Sequence, residues 1–325
     1  MPPRGAPVFI TNHADRFLDL PVVNLSLNEP DRHRRRLLTD ELPAADAAAW
    51  RLSVGYGAEQ GFDELWSAFL GAVDPAGVRA LLIGPWWMRD YGPVADTLAR
   101  IVADAERFPA LEALFIADVT SEDCEISWLE MSDVTPVLKA FPGLTELVVR
   151  GGNGLRLDPV RHDRLTGLRF ESGGLPDDVV QAVAACELPA LERLELWFGA
   201  DEYGGDATIG DLAPILAGTR LPSLRHLGLE NSEFQDEIAA AVAHAPVVAQ
   251  LESLSLAMGV LSDDGAAALL DGQPLTHLTS LDLHHHYLTE AMQERVRQAL
   301  PGVDVDLSDA EEDDEDEWRY VAVAE

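Results

Sequence analysis

Short apolar segments with one repeated spacing run along most of the chain. In each segment an apolar residue is followed by two others, three and five positions later. Alternate residues of a β-strand point to the same face of a sheet, so the second and third apolar positions of each segment share one face. The residues between and after them share the other face. The four complete LxxLxL copies begin at Leu191, Leu224, Leu251 and Leu278.

Ten copies align on their central apolar position, and consecutive centres lie 21 to 33 residues apart. This period is typical of leucine-rich repeats, in which each unit adds one strand and one turn or helix to a solenoid. The pattern therefore predicts an α/β solenoid, a horseshoe with about ten parallel concave strands and convex helices. The predicted centres are Leu52, Leu81, Leu114, Leu147, Leu168, Leu194, Leu227, Leu254, Leu281 and Val303.

Helical spacing replaces strand alternation between the repeat strands. Short polar residues precede three of the apolar helical runs, at Asp177, Ser262 and Thr289. Such residues favour helix N-caps because their side-chain oxygens accept hydrogen bonds from the free N–H groups of the first turn. The sequence therefore predicts a helix after each of these positions.

The two ends of the chain differ from the repeats. Residues 1–48 carry no copy, and we interpret them as an N-terminal cap on the repeat array of residues 49–307. In residues 308–325 an acidic run is followed by Trp318–Val323, which has the composition of a strand. We expect this last piece to be a capping strand or a packed extension, because the final repeat strand would otherwise leave an open sheet edge.

Composition restricts the classes of partner. The 325 residues include 57 acidic and 23 basic side chains, which gives a formal net charge of -34. Such a charge repels nucleic acid and anionic membranes and favours a basic or neutral protein surface. Two cysteines are too few for a disulfide framework, and no secretory signal or membrane-spanning run is evident. We therefore expect a cytoplasmic protein.

Candidate binding residues lie at the position after the last core residue of each strand, on the concave face. The column reads Gly55, Gly84, Ala117, Arg150, Glu171, Trp197, Glu230, Ala257, His284 and Asp306. Its centre is charged and aromatic, and Arg150, Glu171, Trp197, Glu230 and His284 are the candidates. Trp197 is a large aromatic residue at a position that does not face the core, which is typical of a binding anchor. The alternative is that its ring folds over the glycine-rich loop that follows.

The three 33-residue repeats place their extra length in loops after the strand, at Trp86–Tyr91, Asp118–Trp128 and Phe198–Tyr203. Aromatic and arginine side chains in such loops are typical of recognition surfaces. The alternative is that the tryptophans, and Trp128 in particular, fill gaps over the core. The candidate loop residues are Trp86, Trp87, Arg89, Tyr91 and Tyr203.

No catalytic constellation is evident. The chain has no Gly-x-Ser-x-Gly and no phosphate-binding loop, and the acidic loop from Asp118 lacks the glycine and glutamate of a calcium-binding EF-hand. Adjacent residues of His284–His286 point to opposite faces of a strand, so they do not converge on one ion. His226, Glu230, Asp282 and His284 share the concave side, which leaves a metal-assisted hydrolase as an alternative. We expect no enzymatic activity, no metal and no cofactor.

Several short segments carry a resemblance to known proteins. They are Glu125–Trp128, Val149–Gly152, Glu171–Pro176, Leu194–Trp197, Tyr203–Gly205, Leu281–Tyr287 and Arg319–Val321. Over nearly its full length the chain resembles an uncharacterised bacterial family of leucine-rich repeat proteins. The segment Leu261–Leu270 is similar to the strand-to-helix part of ribonuclease-inhibitor-like repeats. The family resemblance implies no demonstrated activity. Its members tend to be encoded beside radical-SAM and ATP-grasp-like proteins, which implies a scaffold or substrate-recognition role.

These observations together favour a non-catalytic scaffold. We expect it to bind a protein or peptide, preferably a basic one, through the concave face and the aromatic loops. A self-associating structural protein, which would cover its aromatic loops in an oligomer, is a further alternative.

Overall fold

The computed structural model describes residues 10–26, 36–37, 41–54, 58–312 and 318–325. Within them a single sheet contains thirteen strands. The strands are β1 (Arg16–Phe17), β2 (Leu20–Ser26), β3 (Arg36–Leu37), β4 (Ala49–Leu52), β5 (Ala80–Ile83), β6 (Ala113–Ile116), β7 (Glu146–Arg150), β8 (Gly167–Glu171), β9 (Arg193–Gly199), β10 (His226–Ser232), β11 (Ser253–Ser255), β12 (Ser280–Asp282) and β13 (Asp304–Asp306).

The strands follow one another across the sheet in chain order from β4 to β13, and each pair is parallel. The strand β2 lies beside β4 and is also parallel to it, while the short β1 folds back antiparallel on β2. The strands β4 to β13 are the ten predicted repeat strands, and β2 continues their sheet. The chain is a leucine-rich repeat solenoid, as predicted.

In the described part of the chain, eight α-helices connect the repeat strands. Within the described residues, every connection from β4 to β13 contains one except the short connection from β7 to β8. Their buried faces join the repeat leucines in one continuous core. The helices are α1 (Phe62–Ala72), α2 (Ala95–Ala103), α3 (Thr135–Ala140), α4 (Asp177–Ala185), α5 (Ile209–Leu216), α6 (Gln235–Val242), α7 (Asp263–Leu270) and α8 (Glu290–Ala299).

The predicted helix caps are confirmed at two of three positions. The Ser262 side chain accepts a hydrogen bond from the Asp264 N–H at the start of α7, and Thr289 accepts one from the Met292 N–H at the start of α8. The prediction at Asp177 is wrong, because this residue is the first inside α4. Its carboxylate there stabilises the positive end of the helix dipole instead of capping it.

The repeat register is as predicted through the interior of the array. Direct pairing joins the eight predicted centres from Leu81 to Leu281, strand by strand. The first prediction is wrong, because Trp50 and not Leu52 pairs with Leu81. An indole takes the central position there, so a search for leucines selects the next apolar residue on the same face.

The last predicted centre is also wrong. Val305, and not Val303, pairs with Leu281. Both valines and Leu307 alternate on one face and pack against the core, so the local sequence does not fix the phase. In the column of concave positions, Ser308 therefore replaces Asp306 and Ser53 replaces Gly55. Gly55 lies outside the described part of the chain.

A second apolar cluster lies on the concave face of the first repeats. The ring centroids of Phe17 and Phe115 are 6.0 Å apart, and residues 14–22 supply the other covering side chains. The N-terminal segment therefore covers the concave side of β4 to β7. The rest of the predicted cap, residues 1–9, 27–35 and 38–40, lies outside the described residues. The sheet residues of this cluster are Ala49, Ala80, Leu82, Ala113, Phe115 and Val148.

The C-terminal segment 318–325 returns along the carboxyl edge of the strands. Ala322 donates a backbone hydrogen bond of 2.8 Å to the Met258 carbonyl. Val323 both donates to and accepts from the side chain of the fully buried Asn231. The predicted packed extension is therefore present, whereas the alternative of a capping strand is wrong, because these residues form no strand on β13.

Candidate functional site

The concave face of the solenoid has a covered half and an open half. The N-terminal segment covers the apolar positions of β4 to β7. From β8 onwards most of the concave positions are polar, charged or aromatic, and many of these are at least partly exposed. A partner that enters the horseshoe therefore meets the second half of the array. The open positions include Arg169, Arg193, Trp197, His226, Ser253, Asp282, His284 and Asp306.

A chain of ion pairs begins beneath the N-terminal segment and runs toward the open half. Arg51 pairs with the fully buried Asp118, and Arg150 Nη1 lies 3.9 Å from the other oxygen of the same carboxylate. Arg150 Nε then donates to Glu171 Oε2 over 2.7 Å, and Arg169 Nη1 reaches the second oxygen of Glu171 at 3.1 Å. The candidates Arg150 and Glu171 are thus brought together, and both side chains are buried.

The same network of ion pairs and hydrogen bonds continues across β8 to β11. Arg169 also pairs with Glu195, whose other oxygen lies 3.4 Å from His226 Nε2. His226 Nδ1 is 2.7 Å from the Ser253 hydroxyl. Burial opposes the charge of Arg169, but Glu195 and Glu171 outweigh that effect and raise its pKa. Ion pairs and hydrogen bonds between neighbouring strands therefore fix these side chains and make the floor of the open half rigid.

Trp197 is held on the concave face by a hydrogen bond to the next strand. Its position pairs with Glu230, and Trp197 Nε1 donates to Glu230 Oε2 over 2.7 Å. The indole is partly exposed, as predicted, and the bond holds the ring above the sheet. Burial raises the pKa of Glu230, because few water molecules reach its carboxylate.

Three possible metal ligands meet at the C-terminal end of the open half. Asp282, His284 and Asp306 each place one ligand atom within 4.8 Å of the others. Carboxylate and imidazole groups are a donor set that divalent transition metals accept. The hydrogen bond of 2.8 Å from His284 Nδ1 to Asp282 also raises the pKa of the imidazole. The four-residue cluster suggested by the sequence is not formed, since His226 and Glu230 are engaged by other neighbours.

The two histidines that follow His284 leave the concave face. His285 Nε2 lies 3.1 Å from the Tyr320 carbonyl, and His286 Nε2 lies 3.3 Å from the Leu307 carbonyl. Burial lowers the pKa of both imidazoles, so they are held as neutral side chains within the packing. The prediction that the three consecutive histidines do not converge on one site is confirmed.

The first aromatic loop divides into packed and open residues. Trp86 and Trp87 are each 6% exposed, and their rings meet edge to face at 4.7 Å. Trp86 Nε1 also donates to the Gly92 carbonyl. Their burial supports the alternative in which tryptophans fill a gap over the core. Arg89 and Tyr91, in contrast, are exposed.

The second and third loops meet at the end of the chain. Ser127 donates to the Ala324 carbonyl, and the Tyr203 hydroxyl donates to Glu325 Oε1 over 2.7 Å. That hydrogen bond raises the pKa of Tyr203 to about 12. The expectation that Trp128 fills a gap is wrong, because its side chain is 67% exposed and the nearby Ile126 occupies the buried position.

Three residues that organise the concave face are absent from the sequence-based candidates. Asp118 was assigned only to an acidic loop. Arg169 and Glu195 lie one position after their repeat centres, whereas the column of candidates lies three positions after the centres. Side chains one and three positions after a centre both point to the concave side. Extending the alignment to this second column would have identified Arg169 and Glu195 from the repeat spacing alone.

Comparison with known proteins places the chain in a family. A protein from Bacteroides fragilis, known from a structural genomics crystal structure, is 32% identical to it, with a TM-score of 0.73. The match covers 81% of this chain and 76% of the Bacteroides protein. The chain belongs to the same family as that protein. No protein-family model matches the chain. No curated protein matches it either.

Two further solved structures are more distant. An internalin (inlF) from Listeria monocytogenes is 14% identical, with 80% of this chain and 61% of the internalin covered and a TM-score of 0.36. A chain of the LRIM1/APL1C complex is 13% identical, with 92% of this chain and 68% of that chain covered and a TM-score of 0.25.

In the described part of the present chain, no helix is both long enough and apolar enough to span a bilayer.

Proposed function

We propose that this protein is a non-catalytic scaffold that binds a protein or peptide in the open half of its concave face. The observation that carries the proposal is Trp197, a partly exposed indole that Glu230 holds in a fixed orientation above a rigid sheet. Large aromatic residues contribute much of the binding energy at protein interfaces, and a fixed side chain loses little entropy when a partner binds. The net charge of -34 favours a basic partner surface.

Quantitative affinity capture from the source lysate tests this proposal. The baits are the wild-type chain, Trp197→Ala and Trp318→Ala, each checked for folding by circular dichroism. Trp318 is 95% exposed and lies outside the concave face, so it is the matched control. Proteins captured by the wild type and by Trp318→Ala should be depleted at least about tenfold with Trp197→Ala, since an anchor contributes roughly 2 kcal/mol or more. Equal capture by all three baits would contradict the proposal.

A second candidate function is metal-dependent, and it rests on the convergence of Asp282, His284 and Asp306. Elemental analysis of protein purified without an affinity tag tests it, with His284→Ala as the comparison. A stoichiometric transition metal that is lost in the variant would support a metal site on the concave face. Metal contents below a tenth of an equivalent in both proteins would contradict a metal-dependent function, and the scaffold would be the only remaining proposal.

A further inference from the structure

A second concave feature lies outside the horseshoe, at the edge where the loop after β5 passes the first turns of α1 and α2. It is a cavity of about 470 Å³. Its wall is formed by Phe62, Trp86, Trp87 and Met88, of which Met88 is 39% exposed. The packed tryptophan pair therefore also forms one side of an open cavity.

The described residues of the remaining wall carry charge of one sign only. No lysine or arginine is among them, and all five of their carboxylates are exposed. Within the described part of the chain, none of these five carboxylates has an ion-pair partner within 4.0 Å. The five residues are Glu59, Asp63, Glu64, Asp90 and Asp96.

Helix capping accounts for only part of this charge. Asp63 and Glu64 lie in the first turn of α1 and Asp96 in the first turn of α2, where carboxylates are favourable. Glu59 and Asp90 lie outside both helices. Each helix N-terminus supplies roughly half a positive charge, so two termini against five carboxylates leave a charge of about −4 on the described lining itself. The cavity is therefore suited to a cation.

We propose that this cavity receives an arginine side chain of the bound partner. The inference rests on the proposed scaffold function and names a second contact point for the same basic partner. A guanidinium group is planar, packs its faces against apolar side chains and donates several hydrogen bonds to carboxylates at once. The exposed Met88, backed by the edges of the packed tryptophan pair, supplies the apolar surface, and Glu59 and Asp90 supply carboxylates that no helix requires.

A pair of small probes that differ in charge tests this assignment on the full-length chain. Nα-acetyl-arginine amide carries the cation, and the citrulline analogue has nearly the same shape without it. The chain has seven tryptophans, so ¹⁵N-labelled indole groups give seven signals that Trp→Phe variants assign. The arginine probe should shift the Trp86 or Trp87 signal and leave Trp197 and Trp318 unchanged. The citrulline probe should bind at least about fivefold more weakly.

Charge-removing variants make the test specific to the cavity. Glu59→Gln and Asp90→Asn should each weaken the arginine probe about threefold or more. Asp178→Asn is the matched control, because Asp178 is an exposed carboxylate in the first turn of the distant α4. Equal binding of both probes, or unchanged binding in Glu59→Gln and Asp90→Asn, would overturn the assignment. Because Trp197→Ala should leave probe binding intact, failure of the scaffold proposal is distinguishable from failure of this one.

Discussion

Two glutamates on the concave face have opposite pKa shifts because their neighbours differ. Burial raises the pKa of Glu230, and the Trp197 indole is its hydrogen-bond donor. Burial alone would also raise the pKa of Glu195, but the hydrogen bond to His226 and the charge of Arg169 outweigh it and lower that pKa. An ionised Glu230 therefore costs stability, whereas an ionised Glu195 contributes it.

The two glutamine variants should show this difference in thermal melts between pH 4 and 8. A raised folded pKa gives stability that is present at low pH and lost as the pH rises through it, so Glu230→Gln should raise the melting temperature near pH 7 and lose this advantage near pH 4. Glu195→Gln should lower the melting temperature near pH 7, with the deficit shrinking only below the usual glutamate pKa of about 4.3. Changes of the same sign in both variants would contradict these assignments.

Asp118 is the carboxylate on which the buried end of the ion-pair chain depends. It is fully buried, pairs with Arg51 and lies 3.9 Å from Arg150 Nη1. Asp118→Ala would leave two buried cations without this partner and should cost about 3–5 kcal/mol in urea denaturation. The exposed Arg161, which pairs with Asp163 at the surface, is the control, and Arg161→Ala should leave the unfolding midpoint nearly unchanged. A similar loss of unfolding free energy in both variants would show that burial does not determine how much these ion pairs contribute to stability.

At the level of strands and helices, the repeat spacing predicts the interior of the array and becomes unreliable at its ends. From Leu81 to Leu281 the same side-chain type recurs in a strict pattern, and the predicted register is confirmed. At the ends, Trp50 replaces the central leucine, and Val303 competes with Val305 for the central position. Local sequence defines which face is buried at these ends, but only pairing with a neighbouring strand defines the phase.

The covered half of the concave face had a sequence signal of its own. The strands β5 and β6 read Ala-Leu-Leu-Ile and Ala-Leu-Phe-Ile, with apolar residues on both faces. A parallel strand that is apolar on both faces is covered on both faces. This pattern could have predicted a cover over the first repeats. It does not say which segment supplies the cover, because Phe17 reaches Phe115 across almost 100 residues of sequence.

The C-terminal extension should stabilise the array through burial and through its bonds to Asn231. Val321, Ala322 and Val323 are at most 2% exposed, and two buried valines contribute roughly 3 kcal/mol or more. Deleting residues 319–325 should therefore lower the melting temperature and expose apolar surface that promotes association, as light scattering would detect. Trp318→Ala in the full-length chain should change neither quantity. A truncated chain as stable and monodisperse as the parent would show that the extension is not required by the fold.

The route of this extension could not be predicted from the sequence. The apolar run Val321–Val323 indicated that the segment packs somewhere, and the open edge after β13 suggested where. The contacts that fix its course are the backbone of Ala322 with the Met258 carbonyl and the backbone of Val323 with Asn231. Backbone hydrogen bonds and a single buried amide produce no periodic pattern of residues, so the repeat pattern contains no information about them.

For the whole molecule, the composition predicts the character of the partner better than its position. The charge of -34 belongs to the entire surface, yet the concave floor balances its acids with Arg51, Arg150 and Arg169. Net charge therefore does not locate the binding surface. The unbalanced carboxylates around the Trp86–Met88 wall become apparent only when α1, α2 and the loop after β5 are brought together.

The same excess of acidic residues should make the stability of the whole molecule depend on salt. With 57 acidic and 23 basic side chains, the folded state is opposed by repulsion between carboxylates, which ions screen over roughly 10 Å at 0.1 M. Raising sodium chloride from 20 to 500 mM at pH 7.5 should therefore raise the melting temperature by several degrees. The buried pair of Arg51 and Asp118 is screened much less, so it should not reverse the trend. Near pH 5, closer to the isoelectric point of about 4.4, the same increase in salt should raise the melting temperature by less. A melting temperature independent of salt at pH 7.5 would mean that local pairing, as in the concave ion-pair chain, already neutralises the repulsion.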